Sequence, residues 1–485
     1  MLSFLSVSHC RPRILILNIP DALSHQFVFF KIHEELASRG HDVLHVLPDT
    51  NAGNWAKKGH NASAMDTAYY KFGDADAWHE LKKGVFNRPP PRIFTVRLVS
   101  AFGHSFRHCR ALLNDTATME RLQGFNADVI LCDLFYACNH PLSDRLGDVP
   151  LVSLHTGAPL MPLYSSWWTG SGRQLFLPNA LAYAPQLGTS FVHPMTFAER
   201  MQNSATYVLN ALADRFLLRP VMLRSWREMG VDPTRPEAVE RDALHLFTAD
   251  WAIEPPRPIV PNVKYIGGVL VGPSGPLPPD LEEFMVSSGE TGVVLASTGT
   301  VVILTPEQVR AMAEAFAALP ARVLWKLTPG EAESLANVSV AGNIKIMNWM
   351  PQNDLLGHPR TRAFLSQCGA NSLYEAAYHG VPIMALPGRV PDQGDSAAKA
   401  ARLGFCLPVI IGKNFSAATV RDSLARLLSE PQFRRNAALV SRRMRARLRT
   451  PTQEAADWVE HVAEFGSYLR TPEAGMPWAA AKKAA

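Results

Sequence analysis

The run Trp349–Gln393, WMPQNDLLGHPRTRAFLSQCGANSLYEAAYHGVPIMALPGRVPDQ, decides the fold of the second half of this chain. Its apolar residues predict a strand at 363–366, a helix over 371–379 that stops at Gly380, and another strand at 383–386. Strand, turn, helix and strand in this order are typical of a βαβ unit in a parallel sheet. Because a turn that opens a helix presents backbone N–H groups, the run also predicts an anion site.

Strands and helices alternate in the same way on both sides of this run. The first half is predicted to contain a helix over 25–39 and strands at 13–19, 43–47, 128–132 and 150–154. The second half is predicted to contain a helix over 306–319 and further strands at 293–297, 322–327 and 344–347. A stretch rich in proline and glycine, 254–279, separates the halves. The sequence therefore predicts an α/β protein with two Rossmann-like domains that bind ligand in a cleft between them.

Length and composition favour a two-domain globular protein. The chain has 485 residues, of which 47% are hydrophobic and 19% charged, which argues against disorder. The net charge is only +5, and the basic run Arg442–Arg447 is predicted to be a solvated helix face, so no nucleic acid partner is expected. No stretch approaches about 18 continuous apolar residues, so we expect no transmembrane segment.

The cysteines and the N-terminus bear on the cellular compartment. The six cysteines contain no CxxC pair and no metal-ligand spacing, which predicts free thiols in a reducing compartment. The first apolar residues are interrupted at 11–13 by Arg-Pro-Arg, which does not fit a signal peptide. The expected localisation is cytoplasmic, with peripheral membrane contact left open.

The Trp349–Gln393 run resembles the nucleotide-sugar signature of the UDP-glycosyltransferases, the glucuronosyl- and glucosyltransferase type. The resemblance extends to 24–48, 195–203 and 256–268, which look like animal members, whereas QCGANS at 367–372 is closer to plant-like members. It implies a GT-B fold with an acceptor domain over 1–255 and a UDP-sugar domain over 256–450. It also implies that 451–485 contributes a C-terminal helix, packed back on the first domain, and a tail.

Two residues of the first domain are candidates for catalysis. His25 follows the first strand, where a neutral imidazole can take a proton from a hydroxyl group, and it matches the family's catalytic histidine. Asp133 follows the strand 128–132, and it matches the aspartate that orients that histidine. The structural alternatives are a histidine that only caps a helix and an aspartate that only caps the next one.

The resemblance assigns the donor site to the second domain. Trp349 would stack on uracil, Gln352 would reach ribose or base, and Glu375 would accept hydrogen bonds from the ribose hydroxyls. Asp392 and Gln393 would contact the sugar. The residues expected around the diphosphate are Ser297, Gly299, Thr300, Gln367, Gly369, Asn371 and Ser372. A structural tryptophan in the core is the alternative for Trp349. No metal and no cofactor other than the UDP-sugar substrate is expected, because no carboxylate cluster is placed to bridge Mg²⁺ and a diphosphate.

The chain departs from the family pattern at three points. Gln367 stands where a histidine is usual, Ser396 stands where an asparagine is usual, and the link from Pro387 to Asp392 is one residue longer. Glutamine donates a hydrogen bond but cannot become cationic, which predicts weaker stabilisation of the leaving diphosphate. These changes bear on rate and donor identity.

The resulting hypothesis is an inverting UDP-glycosyltransferase that transfers glucose or glucuronate to a hydroxyl of a small lipophilic acceptor. The expected lining of the acceptor pocket is Met161, Trp167, Trp168, Phe176 and Leu177. The alternative is a nucleotide-sugar-binding protein of the same fold with weak or no turnover. A dinucleotide oxidoreductase is disfavoured because neither βαβ start carries GxGxxG. The sequence leaves the oligomeric state open.

Overall fold

A seven-stranded sheet organises the first half of the protein in this computed structural model. The structure describes residues 11–52, 65–73, 94–157, 185, 188–231, 242–256, 259–300, 302–336, 338–388, 390–411 and 414–469. The strands are β1 (Arg13–Leu17), β2 (Asp42–Pro48), β3 (Asp66–Tyr70), β4 (Val129–Asp133), β5 (Leu151–His155), β6 (Asp242–Phe247) and β7 (Val263–Tyr265). They are all parallel, in the order β3-β2-β1-β4-β5-β6-β7. β4 and β5 are buried along their whole length, as expected for strands covered on both faces.

Helices cover this first sheet. They are α1 (Leu23–Ser38), α2 (Phe94–Asn114), α3 (Thr116–Phe125), α4 (Asn139–Arg145), α5 (Phe197–Ala213) and α6 (Arg219–Glu228), with a 3-10 turn at Asp49–Asn51 and a π-helical turn at Asp214–Leu218. α1 buries Phe29, Ile32 and Leu36 against the sheet. The stripe at helical spacing therefore faces the core, and the turn between β1 and α1 is left at the carboxyl edge of the sheet.

The second half is organised by a six-stranded parallel sheet. Its strands are β8 (Val293–Ser297), β9 (Arg322–Lys326), β10 (Ile344–Met347), β11 (Thr361–Ser366), β12 (Ile383–Ala385) and β13 (Cys406–Pro408), in the order β10-β9-β8-β11-β12-β13. The helices are α7 (Pro279–Val286), α8 (Pro306–Ala317), α9 (Pro329–Ala332), α10 (Gln352–Gly357), α11 (Ala370–His379), α12 (Pro391–Arg402), α13 (Ala417–Ser429) and α14 (Pro431–Arg445), with a 3-10 turn at Glu333–Leu335. The two halves are thus separate parallel sheets with helices, and the predicted α/β class is confirmed.

Two features concern the limits of the domains. β7 pairs with β6, so the first sheet extends beyond residue 255, where the sequence placed the boundary. The last helix, α15 (Pro451–Phe465), returns to the first domain, where Val459 is buried with residues of α1 and the first sheet. Arg39, which caps the end of α1, binds Asp457 at 2.8 Å and Glu460 at 3.0 Å.

The cysteines differ from the prediction. Cys109 on α2 and Cys138, just before α4, form a disulfide with a Cα–Cα distance of 4.9 Å. The prediction of free thiols was therefore wrong for this pair. The packing of α2 on the turn after β4 brings the two cysteines together, and their spacing in the sequence gives no sign of this. Cys132, Cys368 and Cys406 are free and buried. Since structural disulfides are typical of oxidising compartments, the cysteines no longer support a reducing one.

Among the helices of the described residues, none combines the length and the apolar character needed to cross a membrane.

Candidate active site

Each sheet has one point where the strand order reverses. In the first sheet the reversal lies between β1 and β4, and in the second it lies between β8 and β11. The connections leave such neighbouring strands in opposite directions, which opens a crevice at their carboxyl ends where ligands bind. His25 and Asp133 lie at the first reversal, whereas Gly299 and Gln367 lie at the second.

His25 and Asp133 form a close pair. His25 Nδ1 lies 2.6 Å from Asp133 Oδ2, although 108 residues separate them in the chain. Asp133 is fully buried, and its Oδ1 accepts a hydrogen bond from the backbone N–H of Phe135 at 2.9 Å. The His25 side chain remains 24% exposed, so its ring is open to a substrate. A carboxylate at Nδ1 favours the tautomer that carries the proton there, which leaves Nε2 to accept one.

The surroundings of His25 strengthen its basicity. Burial disfavours the imidazolium, but the charge of Asp133 and its hydrogen bond outweigh burial and raise the pKa of His25 above its usual value. Asp392, from the second domain, adds a smaller contribution in the same direction. An imidazole with these partners can take a proton and hold it.

Thr156 is a site residue that the sequence analysis missed. Its Oγ1 lies 2.9 Å from Nδ1 and 3.0 Å from Nε2 of His25. Thr156 directly follows β5, the strand beside β4, so the rule that places ligand contacts at strand ends could have identified it.

The predicted phosphate turn is built around glycine. Gly299 has φ +77°, and a Cβ on it would lie 2.0 Å from Nε2 of Gln367. The side chain of Gln367 therefore packs directly on the Gly299 backbone, and only 8% of this residue is exposed. Gly369 caps α11, whose first turn contains Asn371 and Ser372. The N–H groups of this turn form the positive end of a helix, which attracts anions.

The phosphate turn contacts the first domain. Asn371 Nδ2 donates a hydrogen bond of 3.1 Å to the backbone oxygen of Ser24, the residue before His25. A Cβ placed on Gly157 would lie 3.3 Å from the Cβ of Ala370. The catalytic pair and the turn expected to bind phosphate therefore face each other across a narrow cleft.

Trp349 lies at the surface of the second domain. It is 36% exposed, whereas Trp325 in the strand beside β10 is fully buried. The ring centroid of Phe27, on α1, lies 5.9 Å away, and Lys326 Nζ lies 5.2 Å from the Trp349 ring. The placement does not fit the alternative of a core tryptophan, and it offers an aromatic face for a planar base.

Gln352 and Glu375 are joined to each other. Gln352 Nε2 donates to Glu375 Oε2 at 2.6 Å and to Ser372 Oγ at 3.2 Å. Burial raises the pKa of Glu375 to about 7, although the hydrogen bond from Gln352 acts in the opposite direction. The expected ribose-binding carboxyl is therefore close to half protonated at neutral pH.

Asp392 and Gln393 lie in the first turn of α12. Burial raises the pKa of Asp392, and the nearby charges of His25 and Lys399 partly offset this rise. Gln393 Oε1 accepts the backbone N–H of Gly388 at 2.8 Å, which leaves the amide NH₂ group to donate to a ligand. The longer link before Asp392 thus still brings this pair to the cleft.

Asp395, which the sequence analysis also missed, attaches a first-domain segment to α12. Its carboxylate accepts the backbone N–H groups of Gly188 at 2.8 Å and Ser190 at 2.7 Å. Burial raises its pKa to about 6, although these two hydrogen bonds oppose the rise. The expected pocket residues Met161, Trp167, Trp168, Phe176 and Leu177 lie outside the described residues.

The remaining candidates occupy the start of the phosphate region. Ser297 ends β8 with 2% exposure, and its Oγ accepts the backbone N–H of Gly299 at 3.3 Å. Thr300 is partly exposed in the same turn. Ser396, where the family has asparagine, is buried on α12. The structure thus gathers the predicted donor residues along one side of the cleft and the catalytic pair along the other.

Two parallel Rossmann-like domains that face across a cleft are the architecture of the GT-B fold. The protein is similar to the calicheamicin glycosyltransferase CalG4, with a TM-score of 0.61 at 21% identity over 94% of this chain and 99% of that one. It is also similar to Os79 from O. sativa in complex with UDP, with a TM-score of 0.64 at 17% identity over 93% and 100% of the two chains.

Sequence comparison narrows this class to one family. Residues 14–480 match the family described as UDP-glucoronosyl and UDP-glucosyl transferase, and the chain belongs to that family. UDP-glucuronosyltransferase 3A1 of Xenopus laevis is 32% identical over 75% of this chain and 67% of its own length. UDP-glucuronosyltransferase 2B7 of Homo sapiens is 29% identical over 94% and 85%. The 2-hydroxyacylsphingosine 1-beta-galactosyltransferase of Mus musculus is 28% identical over 90% and 77%. These relatives support glycosyltransferase activity.

Proposed function

We propose that this protein is an inverting UDP-glycosyltransferase that transfers glucose or glucuronate from a UDP-sugar to a hydroxyl of a small lipophilic acceptor. The observation that carries the proposal is the His25–Asp133 contact of 2.6 Å at the reversal of the first sheet. A hydrogen bond from Asn371 to Ser24 joins this site to the expected phosphate turn at the reversal of the second sheet.

The reaction begins with a proton transfer. His25 Nε2 takes the proton of the acceptor hydroxyl, and Asp133 stabilises the imidazolium through Nδ1. The acceptor oxygen attacks the anomeric carbon from the face opposite UDP. As the new C–O bond forms, the bond from the anomeric carbon to the β-phosphate oxygen breaks and the configuration inverts.

The leaving UDP carries the negative charge into the second domain. The N-terminal turn of α11 and the Gly299 backbone are its proposed partners, and the amide of Gln367 adds a neutral donor. Trp349 would hold the uracil and Glu375 the ribose. Asp392 and Gln393, in the first turn of α12, are the proposed sugar contacts.

The experiment is product analysis with two donors. The protein is incubated with UDP-glucose or UDP-glucuronate and a panel of lipophilic alcohols and phenols, and the products are identified by mass spectrometry. Proton NMR of the product gives the anomeric configuration, which we expect to be inverted. Retained configuration would contradict the single displacement.

Two outcomes separate the catalytic proposal from its alternatives. We expect His25→Ala to lose turnover while UDP still binds in calorimetry, because the UDP contacts lie in the other domain. Equal turnover in His25→Ala and wild type would overturn the role of His25. UDP binding by wild type without turnover of any donor would instead favour the binding-protein alternative.

A further inference from the structure

A second group of ionisable side chains lies next to the catalytic turn. Asp21 stands between β1 and α1, four residues before His25, and has φ +62°. His104 and His108 lie one turn apart on α2 and face Asp21. The Nε2 atom of each histidine lies 3.5 Å from Asp21 Oδ2, and both imidazoles are buried.

We propose that Asp21, His104 and His108 form a binding site for a divalent transition-metal ion, with Zn²⁺ as the expected species. One ligand atom from each residue lies within 4.8 Å of the other two. Two imidazoles and a carboxylate are a donor set that suits Zn²⁺, and three protein ligands leave a fourth position for water. The site is separate from the diphosphate turn, where no metal is expected.

The distances favour a shared ion over direct hydrogen bonds. Each N···O separation of 3.5 Å exceeds the 2.7 to 3.2 Å that is usual for an N–H···O hydrogen bond. Ligand atoms around a tetrahedral ion with bonds of 2.0 to 2.1 Å are about 3.3 Å apart. Within the part of the chain that the structure describes, the buried Nε2 of His108 has no hydrogen-bond partner.

Metal binding at this site needs an ionised Asp21 carboxylate and neutral imidazoles at His104 and His108. Arg107 is the nearby cation, and its Nη2 lies 3.4 Å from His104 Nδ1, the nitrogen of His104 that would not ligate the ion.

The neighbours of His108 orient its ring. Tyr70 Oη lies 2.9 Å from His108 Nδ1, the nitrogen that would not ligate the ion. Phe72 stacks on the His108 ring with a centroid distance of 3.5 Å. A hydrogen bond at the second nitrogen and an apolar cover are the usual surroundings of a ligating histidine. An ion here would tie the turn before His25 to α2.

Cobalt titration tests the site. The full chain, first treated with a chelator, is titrated with Co²⁺ while absorption between 500 and 650 nm is recorded. We expect tetrahedral d–d bands that saturate near one equivalent, and Zn²⁺ should displace the signal. Absence of the bands in wild type, or their saturation at several equivalents, would overturn the proposal.

Variants assign the ion to these residues. His108→Gln and Asp21→Asn should lose the bands, whereas His461→Gln, which alters a half-buried histidine on α15, should keep them. Tyr70→Phe should keep the bands and weaken cobalt affinity about tenfold, because it removes the partner of a ligand rather than a ligand. Unchanged bands in both His108→Gln and Asp21→Asn would also overturn the proposal. Circular dichroism identifies any variant that has not folded, and the wild-type titration then decides.

Discussion

The two reversal points of the protein use one topology for different chemistry. At the first, the strand ends present side chains, and His25 and Asp133 meet at 2.6 Å although they come from distant parts of the chain. At the second, the strand ends present backbone, with Gly299 and Gly369 on either side of Gln367. The comparison indicates that parallel-sheet topology determines where a ligand binds. The residues at the strand ends determine whether the site suits proton transfer or anion binding.

The largest expected effect comes from removing the base of the first site. His25→Ala should lower kcat by about 10²- to 10⁴-fold, since it removes the group proposed to take the acceptor proton. Asp133→Asn should lower it by a smaller factor, because the imidazole stays but loses its anionic partner. Steady-state rates of UDP release measure both. His461→Ala is the matched control, and a similar loss in that variant would mean that the effect is not local.

The disulfide provides the next test, because Cys138 lies in the turn that follows Asp133, the last residue of β4. The bond closes a loop with a sequence separation of 29 residues. Replacing Cys109 and Cys138 together by alanine should therefore lower the free energy of unfolding by about 3 to 4 kcal/mol. Urea denaturation with and without dithiothreitol measures this. Cys132→Ala should keep the response to dithiothreitol, and a wild type that does not respond would show that no disulfide forms.

At the second site, Gly299→Ala should both destabilise the domain and weaken UDP binding. The left-handed backbone costs alanine about 1 to 2 kcal/mol, and the new Cβ would displace Gln367, whose Nε2 lies 2.0 Å from its position. Thermal unfolding and UDP calorimetry measure the two effects. Gly342→Ala, where a Cβ meets nothing within 4 Å, is the control. Equal behaviour of the two variants would show that the close packing of Gln367 is unimportant.

The smallest effect is a pH dependence. The pKa of Glu375 is about 7 in the folded protein against an ordinary 4.5, so the folded state binds more protons between these values. The raised pKa of Glu375 therefore stabilises the folded state fully below pH 4.5, and this stabilisation is lost as the pH rises to about 7. Glu375→Gln should therefore gain about 1 to 2 kcal/mol relative to wild type between pH 6 and pH 8. Urea midpoints at both values measure this, and a pH-independent difference would contradict the buried carboxyl.

Much of the fold could be read from apolar periodicity. The predicted strands and helices are present with ends within two residues of the prediction, because buried parallel strands such as β4 and β5 are continuous apolar runs. β3, β6, β7 and β13 were not predicted, and β7 and β13 have only three residues each, which are too few to show a period. The disulfide was not predicted either, because the packing of α2 on the turn after β4 has no signature in local sequence.

The site could be predicted only where a residue has a recognisable motif around it. His25 and Asp133 follow apolar strands in a family pattern, and the structure places them in contact. Thr156 and Asp395 have no such motif. The contact of Thr156 with His25 depends on strand pairing in the first sheet, and the contact of Asp395 with Gly188 depends on how the two domains meet. The Asp21–His104–His108 group was not predicted, because Asp21 precedes the two histidines by 83 or more positions in the sequence.

The attachment of Asp395 to Gly188 and Ser190 has an evolutionary consequence. The donors are backbone N–H groups, which every amino acid except proline supplies. Side chains in this segment can therefore change without loss of its anchor on the helix that carries Asp392. During evolution, the neighbouring loops could therefore change their ligand specificity while the position of α12, and with it the geometry of the proposed sugar transfer, stays the same.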